Sequence, residues 1–171
     1  MPITPWQRAR HIRIHASTLV PGPLQIYRYR EALRSCSSAR EGGHNDADLP
    51  NNVKTTVLLE ESALHHQVRS PDVMSAQIAH LMALLHPGTD LSLGLLPLNA
   101  ARTPAELPRE PFAILDDHGV ILPLTPVPLV LEHHSQTFRY KVAFARLHRL
   151  ALTGAPARHR LSRLLNTPTP A

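Results

Sequence analysis

Between residues 70 and 86 the chain carries a helix complete with its own start and stop signals, and every other segment has to pack around it. Ser70 can cap, Pro71 suits the first helical position, and Asp72 sets a negative charge near the positive end of the dipole. Met74, Ile78, Leu81 and Leu85 then follow at i, i+4, i+7 and i+11 as one apolar stripe, before His86-Pro87-Gly88 ends the helix. A stripe with this spacing is core rather than a cofactor box.

The flanking segments change period. Residues 5 to 16 suit a short helix, Leu19-Val20-Pro21-Gly22 turns, and residues 24 to 36 continue as a second helix. Residues 37 to 54 collect Gly, Asn, Asp and Ser with hardly a large apolar side chain, the composition of a mobile loop. TTVLLEESAL brings β-branched residues back, which predicts a strand over 55–60, and DLSLGLLPL alternates Leu91, Leu93 and Leu95 as a second strand stopped by Pro97. PFAILDDHGVILPL reads as a hairpin turned at Asp117-His118-Gly119, with Pro123, Pro126 and Pro128 confining the return to an edge. A long helix over 134–152, with Tyr140, Phe144, Leu147 and Ala151 on one line, and a shorter one in APARHRLSRLL close the chain. The order of helices, strands, helix, strands and helices predicts an α+β single domain over residues 1–171, a small antiparallel sheet flanked by helices.

At 171 residues, 43% apolar and 18% charged, the chain can bury one core. Cys36 is the single cysteine, so no internal disulfide forms and a reducing cytoplasm suits the thiol. No apolar run reaches the length of a membrane span, and the first residues lack the apolar core of a signal peptide. The net charge of +5 is uneven: residues 1–40 hold seven arginines against Glu31, and no acid follows Glu132. Without an aromatic-interleaved basic stripe or zinc-finger spacing, these arginines read as solvated helix faces rather than a nucleic-acid surface.

VPGPLQIYRYREAL, residues 20 to 33, looks like a phosphate-binding loop but lacks its means. Gly22 stands alone, and Pro21 and Pro23 remove two of the amide protons that a phosphate needs. The same residues carry a resemblance instead. LVPGPLQ with Tyr29, LLEESALHH, PDVMSAQIAHLMAL, LSLGLLPL ahead of Phe112 and a closing RLALTG run in one order over roughly residues 9 to 165. Together they resemble the DUF5753 family, the C-terminal domains of actinobacterial helix-turn-helix regulators of the WhiJ-like, antitoxin-like type. The family's Val-Pro-Gly motif falls on Val20, Pro21, Gly22, Leu24, Gln25, Tyr29 and Ala32, its acidic motif on Glu60, Glu61, Ala63 and Leu64, and its helical Gln-Leu motif on Gln77 and Ile78.

The resemblance implies a sensor or partner-binding domain whose ligand-binding residues are Gln25, Tyr29, Glu61, Gln77 and Phe112: hydrogen-bonding amides, a phenol, a carboxylate and an apolar wall. Family members usually carry a helix-turn-helix before this region, and here the matching residues begin near Met1, so specific DNA binding by this chain alone is not expected. The Tyr-x-Glu strand motif is replaced by ILPLTP, and a basic helix with an Arg-Gln pair by the polar loop 37–54.

Among twelve histidines, His11 and His15 stand at i, i+4, a spacing that would place both on one face of the expected first helix. Ile12 stands where a zincin needs Glu and no third ligand is fixed, so no metal and no cofactor is expected. The adjacent pairs His65-His66 and His133-His134 point apart and read as solvated. Glu60-Glu61 with His65 and Tyr29 could supply an acid or base, but no Ser-His-Asp spacing, G-x-S-x-G or nucleotide fingerprint is present. Two readings follow: a non-catalytic regulatory domain for a small molecule or small partner protein, or a cofactor-free cyclase or isomerase of secondary metabolism evolved from such a sensor. Oligomerisation is left open.

Overall fold

The computed structural model describes residues 8–36, 53–86, 88, 90–116, 118–124 and 127–166. The expected mobile loop 37–54 lies outside them but for its last two residues. Among the described residues are four α-helices and one six-stranded sheet. The strands are β1 His11–Ala16, β2 Lys54–Glu60, β3 Leu91–Leu96, β4 Phe112–Leu115, β5 Gly119–Leu122 and β6 Leu129–Leu131; the helices are α1 Tyr27–Cys36, α2 Pro71–Leu84, α3 His134–Leu150 and α4 Gly154–Asn166.

The sheet order is β3-β2-β1-β4-β5-β6. β1 pairs β4, β4 pairs β5 and β5 pairs β6 antiparallel, as expected, whereas β3, β2 and β1 run parallel. The parallel part follows from α1 and α2: a helix between β1 and β2 and another between β2 and β3 carry the chain back across the sheet, so the next strand starts at the same end. The class is α+β with a mixed, mostly antiparallel open sheet.

Residues 11–16 are not helical, a correction to the expected first helix. Ile12, Ile14 and Ala16 recur with period two and are buried on one face of β1, while Arg13 and His15 face the other, where Arg13 sits over the Phe144 ring at 6.0 Å and His15 lies 5.2 Å from that of Phe112. Helices pack on both faces of the sheet at β1, so its polar residues are drawn into packing.

Each face has its own core. On one, Ile12, Val57, Leu59, Leu93 and Leu95 pack with Tyr29 of α1, Met74, Ile78 and Leu81 of α2, and Ala157 and Leu161 of α4. On the other, Leu58, Ile114, Val120 and Leu122 pack with Tyr140, Phe144 and Leu147 of α3. The neighbours Val57, Leu58 and Leu59 thus serve opposite layers. Gly94 lets the chain after α3 come close: a Cβ there would lie 2.9 Å from both Ala151 Cβ and Leu58 Cδ2, and Leu95 and Leu152 exchange two backbone hydrogen bonds of 2.8 Å.

The β4–β5 hairpin forms as expected, with Asp116, whose φ of 49° is left-handed, at its turn and Gly119 already paired with Leu115, while Asp117 of the expected turn lies outside the described residues. Asp tolerates that conformation better than most residues. Its carboxylate accepts from the Arg10 and His11 amides at 3.0 and 2.9 Å, tying the hairpin to the start of β1. No helix among the described residues is long and apolar enough to cross a membrane.

Candidate functional site

Where β1 ends, the chain enters Ser17–Ile26, and this segment walls a cleft of about 220 Å³. Its other walls are the end of β1, the start of β4 with Pro111 and Phe112, and Ile121 and Pro123 from the end of β5. The location has a cause. β1 and β4 are antiparallel with His15 opposite Phe112, so the carboxyl end of a parallel strand meets the start of its neighbour, and the loop must fold over the gap. Apart from His15, Ser17 and Thr18, the residues lining it are apolar or proline.

The loop is fastened from behind. Pro21 and Gly22 start a short 3-10 turn over Gly22–Leu24, in which Leu24 and Gln25 amides donate to Pro21 and Gly22 carbonyls. Gln25 Nε2 donates to the Val20 carbonyl at 2.7 Å, and the Val20 amide donates to the Tyr29 hydroxyl at 3.3 Å. Gln77 Nε2 donates to the Leu24 carbonyl at 2.7 Å, while its Oε1 accepts from the Ile26 amide at 2.9 Å. Ser62 Oγ donates to the Ser17 carbonyl at 2.9 Å. Burial pushes the Tyr29 phenol above its ordinary range, against a smaller lowering by its bond from Val20. The phenol stays neutral there.

Of the five residues that the resemblance implies, three therefore converge on one loop: Gln25, Tyr29 and Gln77 hold its backbone with their own polar atoms. They stand behind the cleft rather than among its lining residues. Phe112 does line it. Glu61 lies elsewhere, fully buried, accepting from the Leu98 amide at 2.9 Å and Arg160 Nε at 2.8 Å, with His65 at 3.8 Å. Burial would raise its carboxyl, but the bonds from Arg160 and Leu98 hold it below the ordinary carboxylate range. Glu61 joins the 3-10 turn after β2 to the exit of β3 and to α4.

Sequence reasoning missed a buried polar cluster beside the cleft. His15 is 1% exposed, its ring packs beside Phe112, and its Nε2 lies 3.1 Å from Glu60 Oε1. Arg102 closes on the same carboxylate through two bonds, Nη1 to Oε1 at 2.7 Å and Nη2 to Oε2 at 2.8 Å. Such a fork fits a carboxylate and fixes its plane. Burial would raise the Glu60 carboxyl, yet the hydrogen bonds from His15 and Arg102 and the charge of Arg102 outweigh it and hold the group below the usual range. Nδ1 of His15 is buried and has no hydrogen-bond partner among the described residues. His11 and His15 do not share a helical face at i, i+4: both lie in β1, where residues four apart are separated by about 13 Å. Of the grouping of Glu60 and Glu61 with His65 and Tyr29, Glu61 lies beside His65, whereas Glu60 pairs with His15.

The family model described as "Domain of unknown function (DUF5753)" matches residues 7–163, and the chain belongs to that family. No curated protein and no solved structure matches the chain.

Proposed function

We propose that this DUF5753 chain is a non-catalytic, regulatory-type domain that binds a small molecule in the cleft between the Ser17–Ile26 loop and the start of β4. One observation carries the reading: a largely apolar cleft beside a loop whose backbone is fastened by Gln25, Tyr29 and Gln77. Apolar walls with few placed polar groups are the usual make-up of a small-molecule site, and a loop already held in place loses little freedom on binding. The ligand changes the loop's surroundings, and a partner protein reads that change. The resemblance to actinobacterial regulators supports a cytoplasmic setting and a ligand from secondary metabolism. Specific DNA binding by this chain alone is no part of the proposal.

A second reading, a cofactor-free cyclase or isomerase, is favoured by the His15–Glu60–Arg102 chain, because an imidazole oriented by a carboxylate can take and return a proton. One experiment separates the two. Small molecules that co-purify with the protein are identified by mass spectrometry, then offered back to the wild type and to Thr18→Trp, which narrows the mouth from an exposed position. The regulatory reading expects a bound molecule, displaced in Thr18→Trp and returned chemically unchanged. Turnover abolished by His15→Phe establishes the enzyme, and equal retention by Thr18→Trp refutes the cleft. A footprint on a defined operator at about 0.2 M salt, which suppresses purely phosphate-driven binding, would show that the chain reads DNA after all.

A further inference from the structure

α3 carries two lines of residues along opposite sides of its length. One is the core line, in which Thr137, Tyr140, Phe144 and Leu147 are buried. The other runs through Phe138, Val142, Ala145 and Arg149 at steps of four, three and four, the heptad spacing of a helix-pairing seam. At about 100° per residue it lies roughly opposite the core line. Phe138 stacks on the His134 ring at 5.9 Å yet stays 56% exposed, Ala145 and Arg149 are exposed, and Val142 is half-buried. Arg139 and Arg146 flank this seam on one side and Lys141 and His148 on the other, and α3 contains no Asp or Glu. Arg139 stacks on the Tyr140 ring at 4.9 Å and donates to its hydroxyl at 3.1 Å, which steadies the guanidinium beside the seam. Glu106, whose carboxyl is held below its ordinary range first by hydrogen bonds from Thr103, also feels the charges of Arg146 and Arg149, so that end of the face already accommodates an acid.

We infer that the outer face of α3 docks a helix of a partner protein, one with an apolar seam of its own and Glu or Asp on both flanks. In paired helices the residues beside the seam choose the partner by charge, and here all four are basic side chains. A second copy of this chain would set Arg and Lys against Arg and Lys, so self-pairing is disfavoured. A nucleic-acid backbone would satisfy the arginines but leave Phe138 and Val142 facing phosphate instead of apolar surface. From Phe138 to Arg149 the seam is about 17 Å long, room for about three turns of a partner helix. The surface is separate from the proposed cleft and does not depend on it.

The test titrates the whole chain with synthetic helical peptides: one with a Leu seam and Glu flanks, one with the same seam and Lys flanks, and one with Glu flanks and a Gln seam. Binding is followed by the backbone amide shifts of Phe138, Ala145 and Arg149 at about 0.15 M salt, which screens weak surface attraction. The expected result is that the Leu–Glu peptide binds about tenfold or more tighter than either of the others. Phe138→Ser weakens it by about tenfold, the loss of an aromatic anchor, and Lys141→Glu with Arg146→Glu turns the preference to the Lys-flanked peptide. Should that double variant fail to fold, Phe138→Ser, at an exposed position, and the wild-type peptide preference decide. Equal binding of the Gln-seam peptide leaves only a solvated basic face and overturns the seam, and equal binding of the Lys-flanked peptide overturns the choice by charge. The docking site also falls if the Leu–Glu peptide leaves the α3 amides unmoved, or if those amides shift with protein concentration alone, which marks a second copy. Tighter binding of a duplex DNA fragment through the same amides overturns it in favour of nucleic acid.

Discussion

Replacing Gln77 by Met removes two hydrogen bonds and almost no volume, so it isolates the clasp that shapes the cleft wall. Gln77 is fully buried in α2 and joins Leu24 and Ile26, residues 53 and 51 positions away in sequence. With Met, the Leu24 carbonyl and the Ile26 amide each lose their partner, and a buried group left unsatisfied costs about 1–3 kcal/mol. The pair therefore costs about 2–6 kcal/mol, a large share of the 5–15 kcal/mol typical of a domain. Urea unfolding read by circular dichroism checks the sum, and the melting temperature should fall by about 2–4 °C for each kcal/mol lost. The damage should also be local: the amides of residues 18–26 exchange faster while those of β2 and β3 keep their protection. A variant within about 1 kcal/mol of wild type, or one whose amides open uniformly, would falsify the clasp.

Two further outcomes follow from other contacts. Gly94→Ala forces a Cβ against Ala151 and Leu58, so overpacking should cost about 1–3 kcal/mol by chemical denaturation, and an unchanged midpoint would show that the chain after α3 yields freely. Glu60 and Glu61 are both held below the ordinary carboxylate value, so the unfolded chain takes up their protons first. Their contribution is complete above about pH 4.3 and is lost as the pH falls through the folded values. Unfolding free energy measured from about pH 6 to about pH 3 should drop, less steeply in Glu61→Gln, and a flat profile would contradict the ion pairs.

The elements with strong local signals were legible in the sequence. α2 begins at Pro71 after an extended Ser70, although the serine side chain makes no capping hydrogen bond, and the Met74, Ile78 and Leu81 stripe is buried. β2, β3, the β4–β5 hairpin and α3 lie where period and turn residues put them. β1 escaped because Arg10, His11, Arg13 and His15 interrupt a run with few apolar positions, and only the alternation of Ile12, Ile14 and Ala16 marks a strand. The site was legible in part. Gln25, Tyr29 and Gln77 do meet at one loop, but nothing in residue type tells a clasp from a lining residue, since the same amide serves either. His15, Glu60 and Arg102 are separated by 45 and 42 positions, and no local spacing connects them.

β1 is also the strand that joins the two halves of the sheet, and this sets an order of events in time. On one side it pairs β2, with Ile12 opposite Thr55, and on the other β4, with Ile12 opposite Leu115. The second pairing closes a loop of about a hundred residues, and contacts that distant slow folding because chain entropy is lost before they are made. During synthesis the parallel half can assemble while β1 still has one bare side, with the donors and acceptors of a sheet edge exposed to other chains. Asp116 then acts as a latch, engaging the Arg10 and His11 amides only when the hairpin arrives. Pulse-labelled amide exchange should find the β1 amides that donate to β2 protected before those that donate to β4, and simultaneous protection of the two sets would refute this order.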